Sequence, residues 1–261
     1  LVDFEGSDIE MAKYTKQAIN NNKCGWFYSV FTNDFRIIPG FKIAYWSSLK
    51  TKQAFSNFPP ISSLASIGKG LDTGNNDKYL KLWWEIKIFD SSWVPCQKGG
   101  GYRKWYGNNE YKIFWKNNGK SIILEPKSNV RNSKNYFREG LTWTRIATSS
   151  SFRYFPEGHI FESTGPCLFP NDGLLHEYLT FLNSKVSLFF LSFIAPSLDF
   201  QSGDISKIPF NKLREPSIFK FNFSLFIFLD TENFLNNFFL SFILNKQINC
   251  NLGKFSVKTV S

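Results

Sequence analysis

Arg103 and Lys104 stand between three consecutive glycines, Gly99-Gly100-Gly101, and the run Trp105-Tyr106-Gly107-Asn108. Glycines let backbone approach a ligand closely, the two cations supply charge, and Trp105, Tyr106 and Asn108 supply stacking surface and hydrogen bonds. Further along, Thr142-Trp143-Thr144-Arg145-Ile146 is followed by Ser149-Ser150-Ser151-Phe152-Arg153-Tyr154-Phe155. Hydroxyls such as those of Thr144 and Ser151, beside Arg145 and Arg153, are the side-chain types that meet phosphates and guanine edges. Each cluster alone is a weak signal, and a single arginine in such a place is more often a surface residue than a base reader.

The charge distribution strengthens the pattern. Lys and Arg outnumber Asp and Glu by 31 to 21, a formal charge of +10 and a pI near 9.4, which favours a polyanionic partner. Between Lys98 and Arg153 there are twelve Lys or Arg against three Glu, a local excess of nine that is nearly the whole surplus. Trp105, Tyr106, Tyr111, Trp115, Tyr136, Phe137 and Trp143 are interleaved with these cations, as phosphate contact combined with base stacking would require. The rival reading is an antiparallel sheet whose aromatics fill the core and whose lysines are simply solvated.

Other chemistries find little support. There is no Walker A loop, G-x-S-x-G elbow, H-E-x-x-H or G-x-G-x-x-G. Cys24, Cys96, Cys167 and Cys250 lie more than 70 residues apart, and only His159 and His176 could assist them, so zinc, disulfide and Cys/His sites are all disfavoured. Asn57-Phe58-Pro59-Pro60-Ile61 approaches the Asn-Pro-Pro-aromatic motif of amino-methyltransferases, but the inserted Phe breaks the contiguous turn. A proline-bounded turn is the expectation there. No basic segment precedes an apolar one as in a signal peptide, and the apolar run Val186–Pro196 is half the length of a membrane span, so a cytoplasmic chain without membrane contact is expected.

The elements that must position these residues read as a mixture. Residues 1–25 form a helical or linking lead-in, and 26–31 and 35–38 have the aromatic and β-branched content of strands. Segment 51–66 holds a short helix interrupted by Pro59-Pro60, before the turn-rich loop 68–77 that holds Lys69; a sub-boundary falls near 66. From 98 to 153, the strand-like pieces EYKIFW, SIIL and LTWTRIA alternate with Gly- and Asn-rich turns, predicting an antiparallel, aromatic-rich sheet. Residues 173–195 predict one long amphipathic closing helix, so the class is α+β. Residues 211–261 are rich in Phe and Asn without a clean period, a low-complexity character that fits a frameshifted or truncated end and a genuine apolar helix equally.

Ile38-Pro39-Gly40, Ala44-Tyr45-Trp46, Gly68-Lys69-Gly70, Lys98-Gly99-Gly100, the run from Arg103 to Tyr111, Phe137 to Trp143, Ser151 to Tyr154 and Pro156-Glu157-Gly158 occur in an order that resembles the PglX-like adenine-specific DNA methyltransferases of BREX phage-defence systems. Leu182-Asn183-Ser184-Lys185, then Ile208-Pro209, resembles the closing element of TaqI-like specificity domains and Type I specificity subunits. The resemblance spans residues 26–210. It implies a DNA target-recognition region lying after the catalytic domain of a parent enzyme that uses S-adenosylmethionine, with duplex DNA as partner and other BREX components as further partners. This chain lacks the cofactor and catalytic motifs, so no cofactor and no catalysis are expected of it alone. The residues expected at the DNA are Lys69, Lys98, Arg103, Lys104, Trp105, Tyr106, Asn108, Thr144, Arg145, Ser151 and Arg153. A stand-alone specificity module and a non-functional truncated product are the alternatives.

Overall fold

The computed structural model describes residues 7–87 and 90–211; the Phe- and Asn-rich stretch from 212 onward lies outside the described residues. Eight strands are present among them: β1 Ala65–Gly68, β2 Leu80–Leu82, β3 Trp93–Gln97, β4 Tyr111–Phe114, β5 Gly140–Trp143, β6 Phe152–Phe155, β7 Ile160–Phe161 and β8 Cys167–Pro170. The α-helices are α1 Asp8–Asn20, α2 Leu49–Asn57, α3 Asn76–Tyr79, α4 Lys116–Ile123, α5 Leu175–Leu182, α6 Lys185–Ile194 and α7 Ser202–Ile205. The fold is α+β, as composition and patterning suggest. Instead of one sheet, however, the strands form two, in the orders β1-β8-β5-β6 and β2-β4-β3-β7. The first is antiparallel throughout; the second ends in a short parallel pair, Cys96 opposite Ile160 and Gln97 opposite Phe161.

Alternation along the strands explains the layering. Leu141, Trp143, Phe152 and Leu168 of the first sheet pack with Tyr178, Leu179, Leu182, Leu191 and Ile194 of α5 and α6. Phe155, Cys167 and Phe169, on the intervening positions, pack with Cys96, Ile113 and Phe161 of the second sheet. The first sheet is therefore buried on both faces, which is why β5 and β8 are buried at every residue. Much of the aromatic excess is spent here: Phe155–Phe169, Phe161–Tyr136 and Tyr136–Trp115 meet edge to face and Phe161–Phe169 is tilted, with centroids 5.3–6.1 Å apart.

Three expected elements differ. The segments 26–31 and 35–38 find no strand partner; a 3-10 turn spans Thr32–Arg36, and Phe31 is exposed. SIIL is helical rather than extended, because Asn117, Asn118 and Gly119 all take left-handed backbone (φ 53, 56 and 72°) and redirect the chain into a turn that buries only Ile122 of that piece. The closing helix breaks at Asn183-Ser184. Ser184 Oγ accepts from the backbone N–H of Ser187 and so starts α6, while the Asn183 carboxamide leaves the helix axis to serve the sheet. No helix among the described residues is long and apolar enough to cross a membrane.

Asn183 is the joint between layers. Its Oδ1 accepts from the N–H of Phe152 and its Nδ2 donates to the carbonyl of the same residue, both at 2.9 Å and both buried. One side chain thus satisfies both backbone groups of an edge-strand residue. Asn183→Ala leaves a buried donor unpaired and one bond fewer at the carbonyl, so it is expected to destabilise by about 2–4 kcal/mol. Denaturant unfolding checks this; a loss under about 0.5 kcal/mol would show that the break in the closing helix is not held by this amide.

Candidate nucleic-acid interface

The loop from Gly99 to Asn108 is a rigid surface feature. Gly99, Gly100, Trp105, Gly107 and Asn108 all have positive φ, between 58 and 121°. At Gly99 the space is also closed, since an added Cβ would lie 2.8 Å from the carbonyl oxygen of Thr164. Trp105 is the unusual member, because a left-handed bulky residue costs about 1–2 kcal/mol. It is held there by pairing with the edge of β6: its N–H donates to Phe152 O (2.9 Å) and its carbonyl accepts from Tyr154 N–H (2.7 Å). Its indole packs on the core beneath the first sheet.

Beneath the loop lies Arg153. It is wholly buried, and alternation along β6 places it opposite to Phe152 and Tyr154. Nη1 donates to the carbonyl of Arg103 and to Thr144 Oγ1, and Nη2 to the carbonyl of Gly99, at 3.3–3.4 Å. No carboxylate pairs with it among the described residues. Burial pulls its pKa down to about 10, so it remains charged at neutral pH. A fully buried cation facing neutral carbonyls is an organiser of backbone: it draws Gly99 and Arg103 toward itself. Thr144 completes the cradle by donating to Gly100 O (3.0 Å), and Asn108 Nδ2 donates to Gly101 O (2.8 Å) across the loop.

The residues singled out in the sequence therefore separate. Arg153, Thr144, Asn108 and Ser151 are buried; the first three support the loop from within, and Ser151 Oγ has no hydrogen-bond partner among the described residues. Arg103 is exposed, its methylenes lying over Gly107, where an added Cβ would sit 2.7 Å from Arg103 Cδ. Lys104 is half-buried and its Nζ reaches Asn183 O at 3.4 Å, while Tyr106 is half-buried beside it. Lys98 stands over the Tyr111 ring at 5.1 Å. Arg145 makes a bidentate pair with Asp199 (2.7 and 2.8 Å), which raises the arginine pKa and lowers that of the carboxyl. Lys69 also lowers Asp199, marking a second cationic group near this pair.

The basic stretch is thus less available than its composition suggests. Of its twelve cations, Arg153 is withdrawn by burial, while Arg145 and Arg131 are in ion pairs with Asp199 and Asp72. Lys116, Lys120, Lys127 and Lys134 are exposed. Sequence reasoning missed Asn183 and Thr164, whose Oγ1 donates to Lys98 O at the start of the loop, since neither lies near the loop in sequence. It also passed over Tyr102, which is 49% exposed at the loop's tip beside Arg103.

No family model matches the chain. Two sequence relatives are adenine-specific methyltransferases. The chain is 34% identical over 249 residues to the adenine-specific methyltransferase PglX of Lacticaseibacillus casei (strain Zhang), covering 86% of this chain and 20% of that protein. It is 40% identical over 201 residues to the adenine-specific methyltransferase BrxX of Escherichia coli O9:H4 (strain HS), covering 72% of this chain and 16% of that protein. The chain is a relative of the PglX and BrxX methyltransferases, and it spans about a fifth of their length or less.

If Arg153 organises the loop, Arg153→Met should cost about 2–4 kcal/mol of stability and raise amide exchange selectively through residues 99–108. Arg153→Lys should not restore protection, because an ammonium cannot span the three acceptors. Wild-type exchange rates in the loop of Arg153→Met would remove Arg153 from this role.

Proposed function

We propose that this chain is a DNA target-recognition region working with an adenine-specific DNA methyltransferase of the BREX type, in the cytoplasm. The observation that supports it best is the pinned loop itself: three buried polar side chains and a strained Trp105 hold backbone so that Tyr102 and Arg103 face outward. Backbone strain of this kind clusters at binding sites because the surroundings must over-determine it. A preorganised arginine beside an aromatic ring, on a domain with net positive charge, is suited to duplex DNA: the guanidinium matches guanine O6 and N7, and surrounding lysines match phosphates. Within residues 26–210, Arg103 with Lys104 reads or holds the groove, Lys98, Lys116 and Lys120 meet the backbone, and Lys69 with Arg145 forms a separate outer contact.

The methyl donor fits poorly in the described residues. S-adenosylmethionine is expected on a doubly wound parallel sheet, whereas among the described strands β3 with β7 is the parallel pair and the other strand pairs are antiparallel. The glycine-rich loop is closed as well, since a Cβ added at Gly70 would collide with the Phe161 carbonyl. The turn at Asn57 to Pro60 is occupied by the closing segment, with Phe210 N–H donating to Pro59 O at 2.9 Å. Cofactor binding and methyl transfer are assigned to other parts of the parent enzyme, and the chain's contribution is to choose and hold the site.

Binding to duplex DNA should be steeply salt-dependent. With about five to eight phosphates contacted, affinity should fall by roughly three to four decades between about 50 and 200 mM salt. Arg103→Ala should cost about 1–3 kcal/mol on the cognate duplex and relax sequence preference, while Lys120→Ala should weaken cognate and scrambled DNA alike and reduce the salt slope by about one. Fluorescence anisotropy on both duplexes checks this. Salt-insensitive binding would dismiss the reading, and equal losses on the two DNAs for a folded Arg103→Ala would reduce that residue to phosphate contact.

A further inference from the structure

The outer face of the second sheet holds a feature that the loop does not use. In the antiparallel pairing of β2 with β4, Lys81 lies directly opposite Lys112, while the neighbouring pair, Leu80 and Ile113, turns into the core. Like charges directly opposed across strands destabilise a sheet. Neither lysine takes part in an ion pair among the described residues. Immediately after β2, Trp83 and Trp84 are each 57% exposed, with ring centroids 5.5 Å apart and planes at 88°. Their 3-10 turn is held firmly: Leu82 N–H donates to Glu85 Oε2 (2.7 Å) and Trp83 N–H to Glu110 O (2.9 Å). Two large rings exposed on a rigid turn are costly unless something covers them.

We propose that Trp83 and Trp84, with Lys81 and Lys112, form a second nucleic-acid contact that stacks on a base left exposed by a gap or distortion in the duplex. This rests on the DNA-binding reading. Charge complementarity selects the occupant. Paired cations match consecutive phosphates. Indole faces stack on any base, so this contact adds affinity for opened DNA without reading sequence. Glu85 places one negative charge at this turn, with its Oε2 turned back to the Leu82 N–H.

The test compares the full chain on an intact duplex and on the same duplex with a one-nucleotide gap. The wild type should prefer gapped DNA by about tenfold, with tryptophan quenching greater on the gapped substrate. The double variant Trp83→Ala/Trp84→Ala should lose that preference and keep intact-duplex binding within about threefold. Lys81→Ser/Lys112→Ser should weaken both and lower the salt slope by about two. Should the double tryptophan variant fail to fold, Trp84→Phe with its smaller ring reads the same preference, which should shrink. Equal wild-type affinity for the two DNAs, or a preference that survives both tryptophan substitutions, overturns this contact while leaving duplex recognition standing, and would turn attention to a protein covering the rings. Absence of any DNA binding by the wild type would overturn both readings.

Discussion

A charged guanidinium with no carboxylate beside it, buried under a surface loop, is the constraint around which this molecule is arranged. Placing Arg153 there carries a desolvation cost that three long hydrogen bonds to neutral oxygens offset only in part, and its Nε has no partner among the described residues. Neighbouring elements must therefore hold it in place. β6 fixes its direction through pairing with β5, the Trp105 bridge fixes the loop above it, and Asn183 locks the backbone of Phe152 next to it. The result is a loop whose carbonyls point inward to a cation and whose exposed side chains are Tyr102 and Arg103.

The layered core explains how such a loop can be so firmly placed. Because the first sheet is covered by α5 and α6 on one face and by the second sheet on the other, β6 has little freedom to shift register. A one-residue slip would exchange Arg153 with Phe152 and drive the charge into the helical core. The break between α5 and α6 belongs to the same design, since a continuous helix would leave the Asn183 amide on the helix surface and Phe152 without its partner. Both devices place polar groups where packing alone would favour apolar ones, a pattern that marks sites shaped for function more than for stability.

The distribution of charge follows from these placements. Cations near the ends of strands are taken up internally, by burial at Arg153 and by carboxylates at Arg145 and Arg131, whereas those on turns and on the outer sheet face remain in solvent. Among the described residues the exposed positive surface consequently combines Arg36, Arg103 and Arg138 with a spread of lysines.

By itself the sequence determined the α+β class and the strongly positive charge. The excess of Lys and Arg, the interleaved aromatics, a short helix in the region before residue 66 and the helical lead-in are local or compositional properties, and the α+β class follows from them. The ordered motifs likewise pointed to the PglX-like methyltransferases, with which the sequence relatives agree. What composition cannot say is which cation is buried, because that depends on strand register and on partners distant in the chain: Gly99 and Thr144 for Arg153, Asp199 for Arg145. The same holds for the unpaired aromatic segments near residue 30, for the division into two sheets and for the broken closing helix. Local propensity proposes an element, but burial and hydrogen-bond satisfaction by remote residues decide whether it forms and which way its side chains face.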